Sequence, residues 1–592
     1  MNSVSVTGKE WIFKDFNNDD INFIKTNFYL DEITSKLLAI KKIKKGEIKN
    51  FLEPTIKNNL PNPYVLKDME KATNRTIKAI LNNEKVGIFG DYDVDGAAAT
   101  ALLAKYFNEI NINNLIYIPD RKTEGYGPNQ KSFENLINQD VNLIFTVDCG
   151  TLSFEPIEYA TKKKIDILVL DHHQSEINLP KAYAVVNPNR IDDNSNLNYL
   201  CAVGVSFMFL ISLNRNLRSI NWFKKNNLEE PNLINYLDLV SLGTVCDVVP
   251  LIGLNRAIVK QGLKVLKLKK NIGLKTLIDI CKIESHPTPY HLGYVLGPRI
   301  NAGGRVGRCS HGANLLLNID RKKAFKLACE LDLFNTERKI LEKNLLEKVV
   351  KSINNHNEPV IILDGKNWHE GIIGIIASRI KEKFNKPTII ISSEKNISKA
   401  SARSVLGFDI GSIIIGAVQK GILLKGGGHK MAGGFTIKNE KIAEFKKYAI
   451  NRFKNLNIDT SKAKKIFIDS KVSPSAINFD FFKKVYSLSP FGSGNSEPKF
   501  VIENLKVINS KIVGENHIKS ILLGGDGSTL KSIAFNATES NIASYLLKKR
   551  QSINIVGKLS LNEWRGEKNV EFIIDDISVN KTFKNMVPSS IG

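Results

Sequence analysis

The chain has 592 residues and a mass of 66.2 kDa, which is too long for one compact core and indicates about three or four packed domains. Hydrophobic residues make up 42% and charged residues 24%, a balance that excludes a fibrous or a largely disordered chain. The formal net charge of +24 suits a polyanionic partner such as a nucleic acid, but lysine is spread along the whole chain, so the motifs have to decide.

The six cysteines are scattered without CxxC spacing, which favours neither a zinc ribbon nor a disulfide scaffold and suits a reducing compartment. The N-terminus lacks the apolar core of a signal peptide, and no run of about 18 apolar residues occurs in the sequence. We therefore predict a cytoplasmic protein without a membrane-spanning segment.

The first half of the chain changes character near residue 76. Residues 1–75 form a polar, helix-leaning lead-in that ends among several prolines. Short apolar runs then alternate with amphipathic stretches up to about residue 250, and they predict strands at KVGIFG, NLIYIP, VNLIFTV, IDILVL and YAVVN. This alternation is typical of a parallel α/β sheet, in which functional residues lie where strands end in loops.

The second half begins with a helical region over residues 251–350, whose last, charged stretch predicts a long connecting helix. A second α/β pattern starts at PVIILDG, and residues 465–580 are rich in strands, with turns at GGDG and WRGE. The predicted fold is α/β with a terminal β-barrel of the OB type. The predicted domains are a lead-in (1–75), a first α/β domain (76–330), a connecting helix (331–355), a second α/β lobe (356–460) and the barrel (461–592).

Acids and imidazoles follow three of the predicted strands. These residues are Asp91, Asp93, Asp95, Asp148, Asp171, His172 and His173. Like charges in close proximity raise one another's pKa, and divalent cations with hard oxygen ligands relieve the repulsion. A polar turn or a helix cap would explain any one segment, but neither explains three strands together. Asp247 adds a carboxylate to the apolar segment LDLVSLGTVCDVVPL, where it needs a metal or a strong partner.

The segments GDYDVDG, VDCG, DHH and LGTVCDVVPL resemble, in order and spacing, the four motifs of the DHH phosphoesterase superfamily. Further segments resemble the RecJ family within it: IPDRKTEGYG, GPRINAGGRVG, WHEGIIGIIASR, SARS, GGGHKMAGGF and PFGSGNSEP. Two departures from the family pattern, Leu170 before the DHH triplet and Gly303 in the NAAGR-like loop, remove no ligand. The resemblance covers nearly the whole chain and implies a parallel-sheet DHH catalytic domain, a DHHA1 lobe and an OB-fold.

The resemblance also implies a metal-dependent exonuclease that degrades single-stranded DNA in the 5′ to 3′ direction, releases mononucleotides and acts in DNA repair and recombination. It implies two divalent ions, Mn²⁺ or Mg²⁺, about 3.5–4 Å apart. The implied metal ligands are Asp93, Asp95, Asp148, His172 and Asp247. Among them Asp148 is the expected bridge, His173 is assigned to the phosphate or the leaving oxygen, and Asp91 orients a ligand.

A separate set of residues is predicted to contact DNA. It consists of Arg121, Arg299, Asn301, Arg305, Ser401, Arg403, Gly428, His429, Phe491 and Trp564. Arginine binds phosphate in a bidentate manner, although a surface salt bridge is the alternative, and glycine-rich turns let backbone N–H groups approach phosphates. The resemblance implies that Arg121, Ser401 and Arg403 hold the 5′-phosphate. Phe491 and Trp564 either stack on bases or pack in a core.

Two other functions remain as alternatives. A hydrolase of short oligoribonucleotides or cyclic dinucleotides would need only the two catalytic lobes, and a non-catalytic DNA-binding relative would not need the metal-binding acids. The partners implied by the resemblance are a RecQ-type helicase and a single-strand-binding protein, with the chain itself a monomer.

Overall fold

The computed structural model describes residues 5–121, 123–353, 358–456, 464–548, 552–564 and 567–579. The chain divides into two units: one contains Met1–Leu60, Pro250–Gln261 and Lys462–Gly592, and the other contains Pro61–Val249 and Gly262–Ser461. The lead-in predicted over residues 1–75 is thus split, and its first 60 residues belong to the unit that contains the C-terminal region. None of the described helices combines the length and the apolarity that a membrane-spanning helix requires.

The N-terminal segment consists of one strand and short helices. Its elements are β1 (Lys9–Phe13), α1 (Asn18–Phe28), α2 (Glu32–Ile40), α3 (Ile48–Leu52) and α4 (Ile56–Asn59). The side chains of Asn17 and Asp31 accept backbone hydrogen bonds from Asp19 and Thr34. These caps satisfy N–H groups that a helix start leaves unpaired, so α1 and α2 begin where they do.

The next region alternates helices and strands. Its elements are α5 (Met69–Leu81), β2 (Val86–Gly90), α6 (Val94–Glu109), β3 (Asn114–Tyr117), α7 (Gln130–Ile137), β4 (Leu143–Val147), α8 (Phe154–Lys162), β5 (Asp166–Leu170) and β6 (Ala184–Val186). The five strands form one parallel sheet in the order β3-β2-β4-β5-β6, which confirms the predicted sheet. Strands β2 and β4 are buried along their whole length, as expected for a sheet covered on both faces.

A helical region follows and confirms the prediction for residues 251–350. Its elements are α9 (Ala202–Ser219), α10 (Trp222–Lys225), α11 (Leu237–Cys246), α12 (Gly253–Lys267), α13 (Ile272–Ile280), a π-helix (His291–Leu296), α14 (Gly297–Val306), α15 (His311–Leu317) and α16 (Arg321–Ile353). Helix α11 packs against α6 and α9, which places its C-terminal end beside the parallel sheet. Helix α16 is 33 residues long and contains most of the predicted connecting helix.

The second α/β lobe has a mixed sheet. Its elements are β7 (Ile361–Lys366), α17 (Glu370–Phe384), β8 (Thr388–Ser393), β9 (Ile397–Arg403), α18 (Ile410–Gln419), β10 (Lys425–His429), β11 (Ala432–Lys438) and α19 (Ile442–Lys454). The strand order is β10-β11-β9-β8-β7, and among these pairs β7–β8 is parallel whereas the others are antiparallel. All five residues of the edge strand β10 are exposed.

The C-terminal region forms a closed barrel. Its elements are β12 (Lys464–Ile468), β13 (Ser470–Lys471), α20 (Phe479–Tyr486), β14 (Phe500–Val513), β15 (His517–Leu523), β16 (Thr529–Ala534), α21 (Asn541–Leu547), β17 (Ile553–Trp564) and β18 (Glu567–Ser578). Strands β14-β15-β16-β18-β17 follow one another, and β14 also pairs with β17, so the barrel closes as predicted. Within the same unit β1 pairs with β12, and Ile24 and Leu37 share the apolar core of the barrel residue Phe500.

Arg256 explains how the N-terminal segment is held in this unit. Its guanidinium is buried and donates hydrogen bonds to the carbonyl oxygens of Phe51, Leu488, Ser489 and Pro490. Burial lowers the pKa of Arg256 to about 10. Four carbonyl oxygens satisfy the buried cation, and they join residue 51 to the segment before β14.

Candidate active site

Three aspartates lie close together because the turn between β2 and α6 is very tight. A Cβ atom on Gly96 would lie 2.7 Å from the Cβ atom of Asp91, so the turn requires glycine at this position. Asp93 caps α6, since its Oδ1 accepts the N–H of Gly96 at 3.0 Å. The second carboxylate oxygen of Asp93 is left for a ligand.

Asp95 is buried between α6, α9 and α11. Its carboxylate accepts backbone hydrogen bonds from Ala202 at 2.6 Å and Val203 at 3.0 Å, at the start of α9. A Cβ atom on Gly243 of α11 would lie 2.7 Å from Asp95 Oδ1. The glycine therefore lets α11 pass close enough to bring its own C-terminal carboxylate to the same place.

Asp148 follows β4 in a strained conformation. Its φ of 61° lies in the left-handed region, which is uncommon for residues other than glycine and clusters at functional sites. The hydroxyl of Tyr126 donates to the carbonyl oxygen of Asp148 at 3.1 Å, and the carboxylate is buried. The strained backbone places this carboxylate at the edge where the strands end.

His172 joins these acids at one point. Its Nε2 atom lies 3.3 Å from Asp148 Oδ1, 3.6 Å from Asp247 Oδ2 and 3.9 Å from Asp95 Oδ2. All three distances exceed the usual hydrogen-bond range of about 2.7–3.2 Å. One imidazole nitrogen and three carboxylate oxygens thus face one another without direct bonds, a spacing that suits a shared cation.

Two buried carboxylate oxygens support a metal at this point. Asp247 Oδ2 and Asp91 Oδ1 are buried and have no hydrogen-bond partner among the residues that the structure describes. Buried polar atoms are almost always satisfied, so orphaned oxygens in a cluster of acids indicate an absent cation. Groups of ligand atoms within 4.8 Å of one another are Asp148–His172–His173, Asp91–Asp93–Asp148 and Asp95–Cys201–Asp247.

The electrostatics of the cluster agree with this interpretation. Burial, followed by the negative charge of Asp93, raises the pKa of Asp148 well above its usual range. Burial and the charge of Asp95 raise the pKa of Asp247 to about 8. Because protonation or a bound cation would relieve the same repulsion, this donor set fits divalent metal ions with hard oxygen ligands.

Asp171 holds His173 in a fixed orientation. Asp171 Oδ1 accepts hydrogen bonds from the backbone N–H of His172 at 2.7 Å and from Nδ1 of His173 at 2.8 Å, while its Oδ2 accepts from the Thr151 hydroxyl at 2.6 Å. Although burial lowers the pKa of His173, the hydrogen bond and charge of Asp171 raise it to about 9. In the metal-free chain, Asp171 thus favours the protonated form of the His173 imidazole. The sequence placed Asp171 in the predicted cluster, directly after β5, but did not predict its role of orienting His173.

Several predicted DNA-binding residues meet between α14 and the second lobe. Arg305 donates to the carbonyl oxygen of Gly371 at 3.1 Å, and Arg403 donates to Ser401 Oγ at 3.2 Å. Arg305 and Arg403 line a cavity of 280 Å³ together with Arg379, which sequence reasoning missed. Arg379 lies in the segment WHEGIIGIIASR. The helical pattern alone does not distinguish an arginine on the surface from one that binds the substrate.

Arg121 lies in the neighbouring cavity. Arg121, Arg305 and Trp368 line a space of 440 Å³, and the Arg121 guanidinium lies 5.5 Å from the ring centre of Tyr92. Arg305 therefore borders both cavities. Arg305 thus connects the cavity of Arg121 with the cavity of Arg403, whose guanidinium also donates to Ser401.

The glycine-rich strand faces the DHH motif. Gly428 and His429 of β10 line a cavity of 910 Å³ together with His173 and Tyr126. A Cβ atom on Gly428 would lie 2.5 Å from the carbonyl oxygen of Ala432, so the hairpin requires glycine there. The second lobe thus contributes an exposed, glycine-rich edge strand opposite the acids.

Comparison with known proteins agrees with these domains and identifies the family. The model of the DHH family N-terminal domain matches residues 85–244, the DHHA1 domain matches 357–455 and the RecJ OB domain matches 468–576. The single-stranded-DNA-specific exonuclease RecJ of Haemophilus influenzae is 32% identical, over 89% of this chain and 93% of that protein. The RecJ protein of Escherichia coli K12 is 33% identical, over 89% of this chain and 92% of that protein. The chain belongs to the RecJ family.

Solved RecJ structures have the same fold. The crystal structure of RecJ in complex with Mn²⁺ from Thermus thermophilus matches with a TM-score of 0.79 at 24% identity, over 97% of this chain and 80% of that chain. A crystal structure of exonuclease RecJ bound to manganese matches with a TM-score of 0.56 at 28% identity, over 65% of this chain and 94% of that chain.

The remaining residues that the RecJ resemblance pointed to lie elsewhere. Arg299 pairs with Asp332 at 2.8 Å, and Asn301 is half-buried on the same helix α14. Phe491, in the other unit, packs partly buried against the barrel core. Trp564 is the last residue of β17, and its side chain lies outside the described part of the chain. Their DNA contacts stay predictions.

Proposed function

We propose that this chain is a metal-dependent exonuclease that hydrolyses single-stranded DNA from the 5′ end and releases mononucleotides. The observation that carries the proposal is the gap around His172 Nε2, where carboxylates of Asp148, Asp247 and Asp95 converge at 3.3–3.9 Å. The relatives named above, which carry the name single-stranded-DNA-specific exonuclease, support the choice of substrate.

The metal ligands follow from the cluster. Asp93, Asp95, Asp148, His172 and Asp247 would hold two divalent ions, with Asp148 shared between them. Mixed oxygen and imidazole donors suit Mn²⁺ or Mg²⁺, the ions named for the solved Thermus thermophilus RecJ structures. When bound, such ions lower the pKa of a water molecule and neutralise charge on the scissile phosphate. Asp91 is buried behind Asp93 and would orient that ligand.

His173 would act on the phosphate or on the leaving oxygen. Asp171 holds its Nδ1 atom and favours the protonated imidazole, and His173 borders the 910 Å³ cavity beside β10. A cationic imidazole at this position donates a hydrogen bond to a phosphate or leaving oxygen, and it can supply the proton that the leaving oxygen needs. On the opposite side of the cavity, Gly428 and His429 would bind phosphate oxygens through a backbone N–H that does not bond to β11.

The direction of degradation would come from the arginine-lined cavity. Burial lowers the pKa of Arg305 to about 10 and also lowers the pKa of Arg403. A terminal phosphate dianion would compensate these partly desolvated cations, since phosphate accepts forked hydrogen bonds from guanidinium groups. Arg121 and Ser401 would complete the shell of donors around the 5′-phosphate. A strand bound in this way would present its next phosphodiester bond to the acids.

The cellular setting follows the resemblance. We expect the enzyme to act as a monomer in the cytoplasm, in DNA repair and recombination, on strands exposed by a RecQ-type helicase and covered by single-strand-binding protein. The barrel would guide the strand, since OB-folds commonly bind single strands through basic and aromatic grooves.

The proposal is tested with the purified full-length chain, Mn²⁺ and four substrates: single strands labelled at the 5′ end, single strands labelled at the 3′ end, duplex DNA, and dinucleotides. We expect mononucleotides to be released first from the 5′ end of single strands, little cutting of duplex DNA and no cutting in the presence of EDTA. Preferential hydrolysis of dinucleotides would indicate the short-oligonucleotide hydrolase instead. DNA binding without hydrolysis under any divalent metal would indicate the non-catalytic relative.

A further inference from the structure

Two tyrosine rings lie stacked on the surface of the first α/β domain. Tyr290 is 63% exposed and Tyr294 is 74% exposed, and their ring centres are 5.4 Å apart with an interplanar angle of 23°. They are four positions apart along the chain, so both rings project from one side of the same helical segment. They form an aromatic stack in contact with solvent, which we call the tyrosine platform.

The backbone beneath the platform is unusual. Tyr294 lies within the π-helix His291–Leu296, and Tyr290 directly precedes that helix. Segments of π-helix are rare and occur frequently at functional sites. The exposed rings do not add to a core, so their arrangement calls for a ligand with a flat, polarisable face.

The π-helix is held against the end of α11, next to the metal-binding acids. The thiol of Cys246 donates to the carbonyl oxygen of Leu292 at 3.3 Å, and Cys246 directly precedes Asp247. A Cβ atom on Gly297 would lie 2.5 Å from Cys246 Sγ, so glycine permits this close approach. The platform is therefore fixed relative to Asp247 by direct packing.

We propose that Tyr290 and Tyr294 form a stacking platform for unpaired bases of the DNA strand that is cut at the neighbouring acids. The inference rests on the proposed function, because the strand that reaches Asp247 must pass the end of α11. Every base has a π-face, so stacking on tyrosine binds single strands without sequence preference. The bases of a duplex are already stacked and paired, and the platform therefore favours single strands.

The test measures binding in an Asp148→Ala chain, which should not hydrolyse its substrate, with Mn²⁺ present. 2-Aminopurine is placed at successive positions of a 5′-phosphorylated single strand, because its fluorescence falls when it stacks on an aromatic ring. We expect quenching at one or two adjacent positions. Tyr290→Leu combined with Tyr294→Leu should abolish that quenching and weaken binding about 5- to 100-fold, whereas the two Phe substitutions should preserve both.

Tyr183→Leu is the matched control. Tyr183 is a partly exposed tyrosine of the same unit, but it immediately precedes β6 and so lies at the amino end of the parallel strands, away from the acids. Its replacement should change neither quenching nor affinity. Each variant is compared by thermal melting to establish that it is folded.

An abasic strand separates base stacking from other roles of the tyrosines. If the double Leu variant keeps normal quenching and affinity, or if it binds abasic and normal strands with the same proportional loss, the platform does not stack bases. An equal loss on both strands would instead indicate a contact with the sugar–phosphate backbone that they share. Absence of hydrolysis of single strands by the unmodified chain would overturn the proposed function. The binding experiment tests only the tyrosine platform, so the two failures can be distinguished.

Discussion

The two five-stranded sheets of the larger unit, each with packed helices, present opposite charges to the substrate. The parallel sheet β3-β2-β4-β5-β6 ends in the buried acids Asp91, Asp148 and Asp171. The mixed sheet β10-β11-β9-β8-β7 contributes Arg403 at the end of β9 and the exposed glycine-rich edge strand β10. The parallel sheet therefore presents negative charge at this edge. The mixed sheet presents a guanidinium and backbone hydrogen-bond donors.

The two sheets differ in the ligand that each can bind. Buried carboxylates repel one another and bind a phosphate only through an intervening cation. Exposed glycine N–H groups and partly buried guanidiniums bind a phosphate directly. A phosphodiester between the two sheets would therefore bind to metal ions held by the acids on one side and to protein donors on the other.

The largest expected effect comes from the acidic sheet. Asp148→Ala removes the expected shared ligand, and hydrolysis of single-stranded DNA should fall roughly a thousandfold or more. Circular dichroism and thermal melting should show a folded chain, because Asp148 follows β4 and is not part of the apolar core. Near-normal nucleotide release by the variant with Mn²⁺ would make the two-metal assignment wrong.

The arginine-lined cavity of the second lobe should show a smaller and more selective effect. Arg403→Ala should slow cutting of 5′-phosphorylated strands about 10- to 100-fold, since it removes charge-assisted hydrogen bonds to the terminal phosphate. Cutting of 5′-hydroxyl strands should change far less. Arg218→Ala is the control, because Arg218 is exposed and pairs with Glu230 on the protein surface. Equal losses on both substrates would remove the terminal-phosphate role.

The glycine-rich edge strand permits a more subtle test. A Cβ atom on Gly427 would meet no protein atom within 4 Å, so Gly427→Ala should leave stability unchanged. If a phosphate approaches β10 closely, the added methyl group should raise KM about 3- to 10-fold, by hindering one hydrogen bond. Gly428→Ala, whose Cβ would meet backbone atoms at 2.5 Å, should lower the melting temperature instead. Unchanged kinetics for Gly427→Ala would place the substrate elsewhere.

The smallest effect concerns stability and pH. Burial raises the pKa of Asp247 to about 8 in the folded, metal-free chain, well above the value near 3.9 of an unfolded aspartate. The folded state then binds more protons between these values, so this contribution to stability is present at low pH and is lost as the pH rises through about 8. A bound divalent cation neutralises the carboxylates that have lost their protons at high pH.

Melting with EDTA and with Mn²⁺ at about pH 6 and pH 9 measures this effect. The increase in Tm caused by Mn²⁺ should be larger at the higher pH, by a few degrees, and Asp247→Asn should reduce the difference. An Mn²⁺-induced shift that is the same at both pH values in the unmodified chain would contradict the electrostatic description of the cluster.

Local sequence patterns were enough to predict the parallel sheet and most of the acidic cluster. Strands β2, β4 and β5 are continuous apolar runs, and Asp91, Asp148 and His172 follow them within two residues. The carboxyl ends of parallel strands share one edge, so residues that are far apart along the chain become neighbours without any further information. The helical region and the strand-rich barrel were also predictable, because the spacing of their apolar residues indicates helices and strands.

Local patterns did not predict which side chains share a bond or a cavity, and the folded structure shows these contacts. It placed the first 60 residues with the barrel, joined Asp171 to His173, and brought Arg379 to the cavity of Arg305 and Arg403. It also stacked Tyr290 on Tyr294 beside the end of α11. Periodicity reports which face of one element is apolar, whereas these contacts depend on how separate elements pack, which no local pattern specifies.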